Sequence, residues 1–329
     1  MKYIDFLTQN DIIKEKLRED IMIILPIALL IITYFAVGLY IFKSAFSPQK
    51  DPDWSSKEAL DKTAWKQFSD TVPAAVQWLV DHGAVDVSIK SFDGLTLSGK
   101  WMAHPEPRGT VLVVHGYHSS YVTDFGQIFP LYERLGLNVL MIRQRAHDGS
   151  EGKYITFGTL EHRDLLKWID FHNEHFGSLP MFVSGMSMGA STVMYALGEE
   201  LPDNVFGASA DSGFTSPREI ISKVIKDRIG FSLDLVLPAV NFWCKTLGKF
   251  NMNECDSRRS LARAKVPLLM IHGEADDFVP CEMTRQGFEA CASEKVLITV
   301  RDADHGTSYL HEPERIISAL DEIFQKHLK

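Results

Sequence analysis

A continuous apolar run near the N-terminus is the longest hydrophobic pattern in the chain. Residues 21–42, IMIILPIALLIITYFAVGLYIF, carry no charged side chain. At about 1.5 Å of rise per helical residue the run is roughly 33 Å long, which matches the roughly 30 Å hydrocarbon core of a bilayer. A buried helix of a soluble domain usually keeps a polar face, and the core of a signal peptide is shorter. The pattern therefore predicts a transmembrane helix over 21–42, preceded by an N-terminal tail over 1–20.

The next part of the chain changes from helical periodicity to strict alternation. Residues 43–83 are first polar and then helical in pattern, so we expect a linker with a helical lead-in. Apolar and polar residues then alternate over 85–89 and again over 95–101, with the turn sequence Phe92-Asp93-Gly94 between the two stretches. Two alternating runs joined by a turn predict a β-hairpin.

Short apolar runs alternate with helical segments from Thr110 onward. Continuous apolar runs are typical of parallel strands that helices cover on both faces. The fold class we predict for residues 84–329 is therefore α/β, with a doubly wound, mostly parallel sheet and the antiparallel hairpin at its start. The predicted strands are TVLVVHG, NVLMIRQ, MFVSG, VFGASAD, VPLLMIHG and KVLITVRDADHG, and the predicted helices lie at about 124–136, 159–176, 188–200 and 313–328.

One connection is much longer than the others. Residues 214–265 separate two predicted strands, whereas typical loops have about 2–6 residues. The segment contains apolar stretches at helical spacing, so we predict a helical cap inserted in the sheet. Its large apolar residues fit either an acyl pocket or the cap's own packing: Phe231, Leu235, Phe242 and Trp243.

Composition narrows the possible partners. The formal net charge of the 329 residues is −9 and no basic patch is present, which argues against nucleic acid. The cysteines form no CxxC pair and no metal-type spacing with histidine, so we expect buried thiols and leave one disulfide open. They are Cys244, Cys255, Cys281 and Cys291.

The charges around the apolar run do not orient it. Basic residues are equally frequent just before and just after the run: Lys14, Lys16 and Arg18 before it, and Lys43, Lys50 and Lys57 after it. The positive-inside rule therefore does not predict which end of the helix faces the cytoplasm. A short tail, one span and a large domain favour a single-pass protein of the cell membrane with an extracytoplasmic domain.

A lone serine lies where a predicted strand meets a predicted helix. In GMSMG, Ser187 stands between Gly185 and Gly189. A sharp strand-to-helix turn strains the residue at its apex and needs small neighbours, while the helix that follows points its N-terminal N–H groups at the same spot. The context therefore indicates an activated serine, whereas the pattern alone is weak.

A serine nucleophile needs a base and an orienting carboxylate. Both should follow the serine and stand just past strand ends, where a doubly wound sheet gathers its ligands. The loop after one predicted strand offers Asp276 and Asp277. The next strand ends at His305. These residues predict a catalytic triad of Ser187, His305 and one of the two aspartates, with no metal or cofactor.

These motifs make the chain from about residue 84 resemble an α/β-hydrolase of the serine-hydrolase type. GMSMG resembles the family's nucleophile elbow, and ADHG resembles its late histidine. HGEADDFVP resembles its His-Gly-x-x-Asp-x-x-Val-Pro loop, whose aspartate falls on Asp276, so the resemblance implies a catalytic triad of Ser187, Asp276 and His305. VVHGY resembles the first oxyanion loop, which implies that the backbone N–H groups of Tyr117 and Met188 form an oxyanion hole. RQRAHDGSEG is similar to another family segment but has Ala146 and Asp148 where the family has glycine.

Several residues near the predicted site have plainer interpretations. We interpret Asp211 as a turn or cap residue and His115 as a buried, hydrogen-bonded histidine. We expect His118 and His147 to be exposed loop histidines.

The function predicted from the sequence is a membrane-anchored serine hydrolase that cleaves a carboxylic ester of a small-molecule acyl substrate through an acyl-enzyme. A peptidase, a thioesterase or an acylglycerol lipase on the same triad stays open, because these differ in pocket shape. A non-catalytic binding module of the same fold is the alternative from another class.

Overall fold

A central sheet organises the structure, a computed structural model that describes residues 2–63, 66–232 and 234–328. Its eight strands have the order β1-β2-β4-β3-β5-β6-β7-β8. The first two strands form an antiparallel hairpin, β2 is antiparallel to β4, and every other neighbouring pair is parallel. The predicted doubly wound, mostly parallel sheet with a hairpin at its start is confirmed.

The elements follow one another along the chain as strands alternating with helices. The strands are β1 Val85–Lys90, β2 Thr96–Met102, β3 Gly109–Val114, β4 Leu137–Ile142, β5 Met181–Met186, β6 Val205–Asp211, β7 Leu268–Gly273 and β8 Lys295–Val300. The helices are α1 Lys2–Phe46, α2 Lys57–Leu60, α3 Thr71–Asp81, α4 Tyr121–Phe125, α5 Phe129–Arg134, α6 Glu161–Phe176, α7 Met188–Ala196, α8 Pro217–Ile229, α9 Leu237–Trp243, α10 Ser257–Leu261, α11 Cys281–Ala290, α12 Ser308–His311 and α13 Pro313–His327. Short 3₁₀ turns lie at Lys66–Phe68 and Asp234–Val236, and a π turn at Cys244–Gly248.

Burial explains why the central strands are apolar throughout. Every residue of β3, β4 and β7 is buried, because helices cover both faces of the sheet. One apolar cluster joins the sheet to α3, α5 and α13, and a second joins its other face to α6, α7 and α10. The carboxyl ends of the strands are thereby held at one edge.

The helix predicted at 124–136 is two helices in the structure. The chain leaves α4 at Phe125 and starts α5 at Phe129, with Pro130 in the first turn of the second helix. Proline lacks the N–H that a continuing helix needs, but it fits a first turn. The break is therefore a local effect of one residue. Trp65, an apolar position of the predicted lead-in, lies outside the described residues.

The long N-terminal helix is exposed along most of its length and buried at its end. The part from Lys14 to Phe46 is long and apolar enough to cross a membrane. Most large apolar side chains between Ile21 and Ile32 are more than half exposed. The helix continues past the predicted end at residue 42, and Phe42 and Phe46 are fully buried in a third apolar cluster. The predicted linker therefore begins later than expected.

The cap segment 214–265 packs against this helix. The Tyr34 hydroxyl donates to the Leu235 carbonyl over 3.1 Å, and the Trp243 indole N–H donates to the Phe35 carbonyl over 2.8 Å. One turn further along α1, the helix approaches α9 so closely that a Cβ at Gly38 would lie 2.7 Å from the Cβ of Ala239. The end of α1 is thus part of the folded domain.

Candidate active site

The turn between β5 and α7 holds Ser187 in a strained conformation. Ser187 has φ 55° and ψ −116°, values that few non-glycine residues adopt. A Cβ at Gly185 would lie 2.4 Å from the Gly189 carbonyl oxygen, and one at Gly189 would lie 2.0 Å from the Val114 carbonyl oxygen. Only glycine fits at both positions, as the sequence argument requires.

Three side chains from distant parts of the chain form one hydrogen-bonded series. The Ser187 hydroxyl lies 2.9 Å from His305 Nε2, and His305 Nδ1 lies 2.7 Å from Asp276 Oδ2. Asp276 follows β7 and His305 follows β8, so both reach the sheet edge at which β5 ends. The structure therefore brings the three predicted residues together in the predicted order.

Asp276 is held as a carboxylate in a buried position. Burial alone would raise its pKa, but hydrogen bonds from His272 and His305 outweigh burial and hold the pKa well below its usual range. The amides of Phe278 and Val279 also donate to Asp276 Oδ1 over 2.9 and 2.8 Å. The neighbouring Asp277 is exposed. The carboxylate at residue 276 can therefore accept from His305 Nδ1–H and orient the imidazole ring.

His272 is a residue of the site to which the sequence analysis assigned no role. Its imidazole is fully buried, and Nε2 lies 3.1 Å from Asp276 Oδ2. The same nitrogen donates to the Val279 carbonyl over 2.8 Å, while Nδ1 lies 2.6 Å from the Thr284 hydroxyl. His272 therefore fixes the loop that carries Asp276. Its place in HGEADDFVP, four residues before the aspartate, was the available signal.

The loop at 115–118 carries one of the two predicted oxyanion donors, Tyr117, and the first residue of α7 is the other, Met188. Within the described part of the chain, the amide N–H groups of Tyr117 and Met188 have no hydrogen-bond partner. The preceding amide, that of Gly116, donates to Asp124 Oδ2 over 2.7 Å. Burial raises the pKa of Asp124 to about 6, although hydrogen bonds from Ser119 and Gly116 lower it. This carboxylate fixes the backbone next to the Tyr117 amide.

Histidines hold both ends of the same loop. His115 is buried, as expected, and its Nδ1–H donates to the Gly116 carbonyl over 2.8 Å. The prediction that His118 and His147 are exposed is wrong, because His147 is 4% exposed and His118 is half-buried. His147 Nε2 accepts from the His118 amide over 3.2 Å. Burial lowers the pKa of His147 to about 4, against a hydrogen bond to the Arg145 carbonyl that raises it.

The end of α1 contacts this loop directly. The Tyr117 hydroxyl donates to the Ala45 carbonyl over 2.8 Å, and His118 Nε2 lies 3.2 Å from the Ser47 carbonyl oxygen. The last carbonyls of a helix have no partner within the helix, so side chains from elsewhere can use them. The loop that carries a predicted oxyanion donor is therefore tied to the long N-terminal helix.

A cavity of about 250 Å³ opens beside the serine. Ser187 and His305 line it together with Tyr117, Asp124 and Phe278. The Phe278 ring meets the His305 ring edge-on, with 5.1 Å between their centroids. A small acyl group fits next to the nucleophile in this space.

The other residues singled out in the sequence are placed as follows. Asp211 is buried and supports the elbow through its backbone, because its carbonyl accepts from the Ser187 amide over 2.7 Å. Phe231, Leu235 and Phe242 are exposed on the cap surface, so they form neither the cap core nor a pocket. All four cysteines are free thiols, and only Cys281 is not buried. Among the residues that the structure describes, no cluster of three or more His, Cys, Asp or Glu side chains suits a metal ion.

Residues 105–242 match the family model described as serine aminopeptidase, S33. The chain is 26% identical over 224 residues to the uncharacterized protein YqkD of Bacillus subtilis, which covers 67% of this chain and 72% of that protein. It is 25% identical over 259 residues to the monoacylglycerol lipase of Mycolicibacterium smegmatis, which covers 68% of this chain and 89% of that enzyme. A solved esterase of Pyrococcus furiosus is similar in fold, with a TM-score of 0.61 and 23% identity, over 76% of this chain and 93% of that one.

Proposed function

We propose that the chain, which has the fold of the α/β-hydrolases, is a serine hydrolase that cleaves a carboxylic ester. The observation that supports this most directly is the hydrogen-bonded series from Ser187 through His305 to Asp276. Its geometry suits a nucleophile, a general base and an orienting carboxylate. The matches to a monoacylglycerol lipase and to an esterase favour ester hydrolysis.

The proposed reaction has two acyl-transfer steps. His305 Nε2 takes the hydroxyl proton while Ser187 Oγ forms a bond to the ester carbonyl carbon. The amides of Tyr117 and Met188 stabilise the negative oxygen of the tetrahedral intermediate, and Asp276 stabilises the imidazolium. The ester C–O bond then breaks, and His305 gives its proton to the leaving alkoxide. Water then adds to the acyl carbon while it gives a proton to His305. The bond between Ser187 Oγ and that carbon breaks, His305 returns the proton to Oγ, and the acid leaves.

We further propose that α1 is a membrane anchor that stays attached to the domain. Its exposed apolar side chains over Ile21–Ile32 favour a lipid environment. Removal of the helix as a leader would take Phe42 and Phe46 out of the domain core, which argues against a cleaved signal sequence.

We propose that the domain is extracytoplasmic. A membrane-impermeant maleimide should then label an exposed Ser88→Cys on intact cells, and labelling only after lysis would reverse the orientation.

Labelling with a fluorophosphonate tests the nucleophile. The full chain in detergent should be labelled at one serine and should hydrolyse p-nitrophenyl acetate. Ser187→Ala should abolish both signals, and the matched change Ser88→Ala on the exposed face of β1 should change neither. Absence of labelling and of turnover in the wild-type chain would instead favour the non-catalytic binding module.

An aminopeptidase is a second candidate, favoured by the description of the matching family model. Such an enzyme needs a carboxylate for the substrate's α-ammonium group. Both oxygens of Asp124 are engaged, by Gly116 and Ser119. Asp304 is exposed and lines the cavity beside Ser187, and its Oδ1 accepts from the His305 amide over 2.7 Å. Turnover of amino-acid p-nitroanilides that Asp304→Asn abolishes, with p-nitrophenyl acetate turnover unchanged, would establish this candidate over the esterase.

A further inference from the structure

A second cavity lies between the membrane helix and the cap. It has a volume of about 360 Å³, within the roughly 300–1,000 Å³ range of ligand pockets. Residues of α1 between Val37 and Ala45 form one wall, and residues of α8 between Ile221 and Ile229 form the opposite wall. Most of these side chains are apolar, and Arg228 is the one charged residue among the described residues that line the cavity. The helix that anchors the protein therefore also encloses this space.

This apolar cavity borders the cavity that contains Ser187. Tyr117 and Phe278 line both spaces, so they form the wall between them. On the catalytic side, Phe278 contacts the His305 ring, and Tyr117 provides a predicted oxyanion donor. An ester whose carbonyl lies at Ser187 can therefore extend an acyl chain past these two rings into the apolar cavity.

The position of the cap along α1 places this cavity at the depth of the bilayer. The cap contacts the helix from Tyr34 onward, which leaves residues 21–33 of the apolar run free of it. These residues span only about 20 Å, less than the roughly 30 Å hydrocarbon core. The span cannot extend toward the N-terminus, because residues 14–20, KEKLRED, are charged at all positions but one. The cap must therefore enter the membrane to complete the span.

The cap surface suits that depth. Five large apolar residues of the cap are exposed, which is costly in water and favourable in lipid. Leu235 is 88% exposed, next to its contact with Tyr34. The others are Ile229, Phe231, Phe242 and Leu247.

We propose that the cavity between α1 and α8 binds the acyl chain of a membrane lipid ester, which enters sideways from the bilayer. This inference rests on the proposed function and specifies its substrate class as long-chain acyl esters. The carbonyl of the lipid ester reaches Ser187, and the chain stays between the anchor and the cap. Each methylene buried there raises the affinity about fourfold.

A change in chain-length preference tests the cavity. The full chain is placed in phosphatidylcholine nanodiscs and assayed with p-nitrophenyl acetate and p-nitrophenyl dodecanoate. Val224→Trp fills the cavity, and Lys226→Trp puts the same side chain on the exposed side of α8. We expect Val224→Trp to lower kcat/KM for the dodecanoate at least tenfold and for the acetate less than twofold, with Lys226→Trp near wild type for both.

The outcomes separate this inference from the proposed function. Equal kcat/KM losses for both esters, or no loss for the dodecanoate, would overturn the acyl site while Ser187 remains the nucleophile. Failure of the wild-type chain to react with fluorophosphonate would overturn both proposals. If Val224→Trp does not fold, Ile225→Trp on the same wall replaces it, with acetate turnover as the check on folding.

The depth of the cap has its own measurement. Leu235→Trp adds a fluorophore on the exposed cap surface, and Ser88→Trp adds one on the distant edge strand. Lipids brominated on the acyl chain should quench the added fluorescence of Leu235→Trp and leave that of Ser88→Trp unchanged. No quenching of the added tryptophan at residue 235 would place the cap outside the hydrocarbon and contradict sideways entry.

Discussion

The elbow and the oxyanion loop face the same cavity, but different parts of the molecule hold them in place. The turn at Ser187 is fixed by close backbone contacts, because a Cβ at Gly185 would collide with the backbone of Gly189 and one at Gly189 with the Val114 carbonyl at the end of β3. The loop at 115–118 is fixed instead by side chains, two of which reach carbonyls at the end of α1. Backbone contacts within the sheet and α7 therefore hold the nucleophile, whereas side-chain hydrogen bonds to the end of the membrane helix help to hold the loop that carries the proposed Tyr117 donor.

The largest effect should come from a substitution of Asp276, which follows β7 in the part of the site that the strands position. Asp276→Asn keeps the shape of the residue but removes the anion that orients His305, and we expect kcat for p-nitrophenyl acetate to fall by about 10⁴-fold. Asp277→Asn, at the exposed neighbour, should leave kcat unchanged. Similar losses in both variants would contradict the assignment of Asp276.

The membrane helix should contribute to stability only where it is buried. Phe42→Ala removes a fully buried ring and should lower the free energy of unfolding by about 3–5 kcal/mol. Leu29→Ala, in the exposed part of the same helix, should have little effect in dodecyl maltoside. Thermal unfolding measures both, and equal melting temperatures for the two variants would show that α1 is a passive tether.

The free energy of unfolding should fall in mild acid because of His147, which contacts the loop at 115–118. His147 has a folded pKa of about 4, below its unfolded value of about 6.5, so the unfolded chain binds more protons between these two pH values. The contribution of His147 to the free energy of unfolding is fully present above pH 6.5 and is lost as the pH falls toward 4. The loss is on the order of 3 kcal/mol at most. His147→Gln should show a smaller drop in melting temperature between pH 7 and pH 5 than the wild type. A drop of the same size in both would exclude His147 as the cause.

The smallest expected effect isolates the contact between the loop and the helix. Tyr117→Phe removes the hydroxyl that donates to Ala45 but keeps the amide, and one such hydrogen bond is worth about 1 kcal/mol. We expect a several-fold fall in kcat with little change in KM. In Tyr154→Phe the lost hydroxyl has no hydrogen-bond partner among the described residues, so kcat should be unchanged there. A change in KM alone would assign Tyr117 to substrate binding rather than to the loop.

The sequence predicts best the features that local patterns control. The strained turn at Ser187 requires glycines close by in the sequence, and the apolar strands lead directly to the edge at which Asp276 and His305 lie. These positions follow from the order of elements in a parallel sheet, so reasoning along the chain can find them.

Features that depend on contacts between distant segments were missed. His147 lies in a polar stretch that resembles a surface loop, and its burial comes from packing against the loop at 115–118. The buried end of α1 was missed because an all-apolar run has no polar face to distinguish lipid from protein as its partner. The cap residues Phe231 and Leu235 were misinterpreted for the same reason, since apolar character does not specify what covers a side chain.

The close approach of Gly38 and Ala239 has a mechanical consequence. With no side chain at position 38, the backbones of α1 and α9 interlock, and any turn of the helix about its own axis would drive its neighbours into the cap. α1 therefore cannot rotate about its own axis relative to the rest of the domain. If α1 crosses the bilayer, the domain keeps one fixed orientation relative to the membrane plane as it diffuses. The entrance to the cavity between α1 and α8 then always faces the same leaflet.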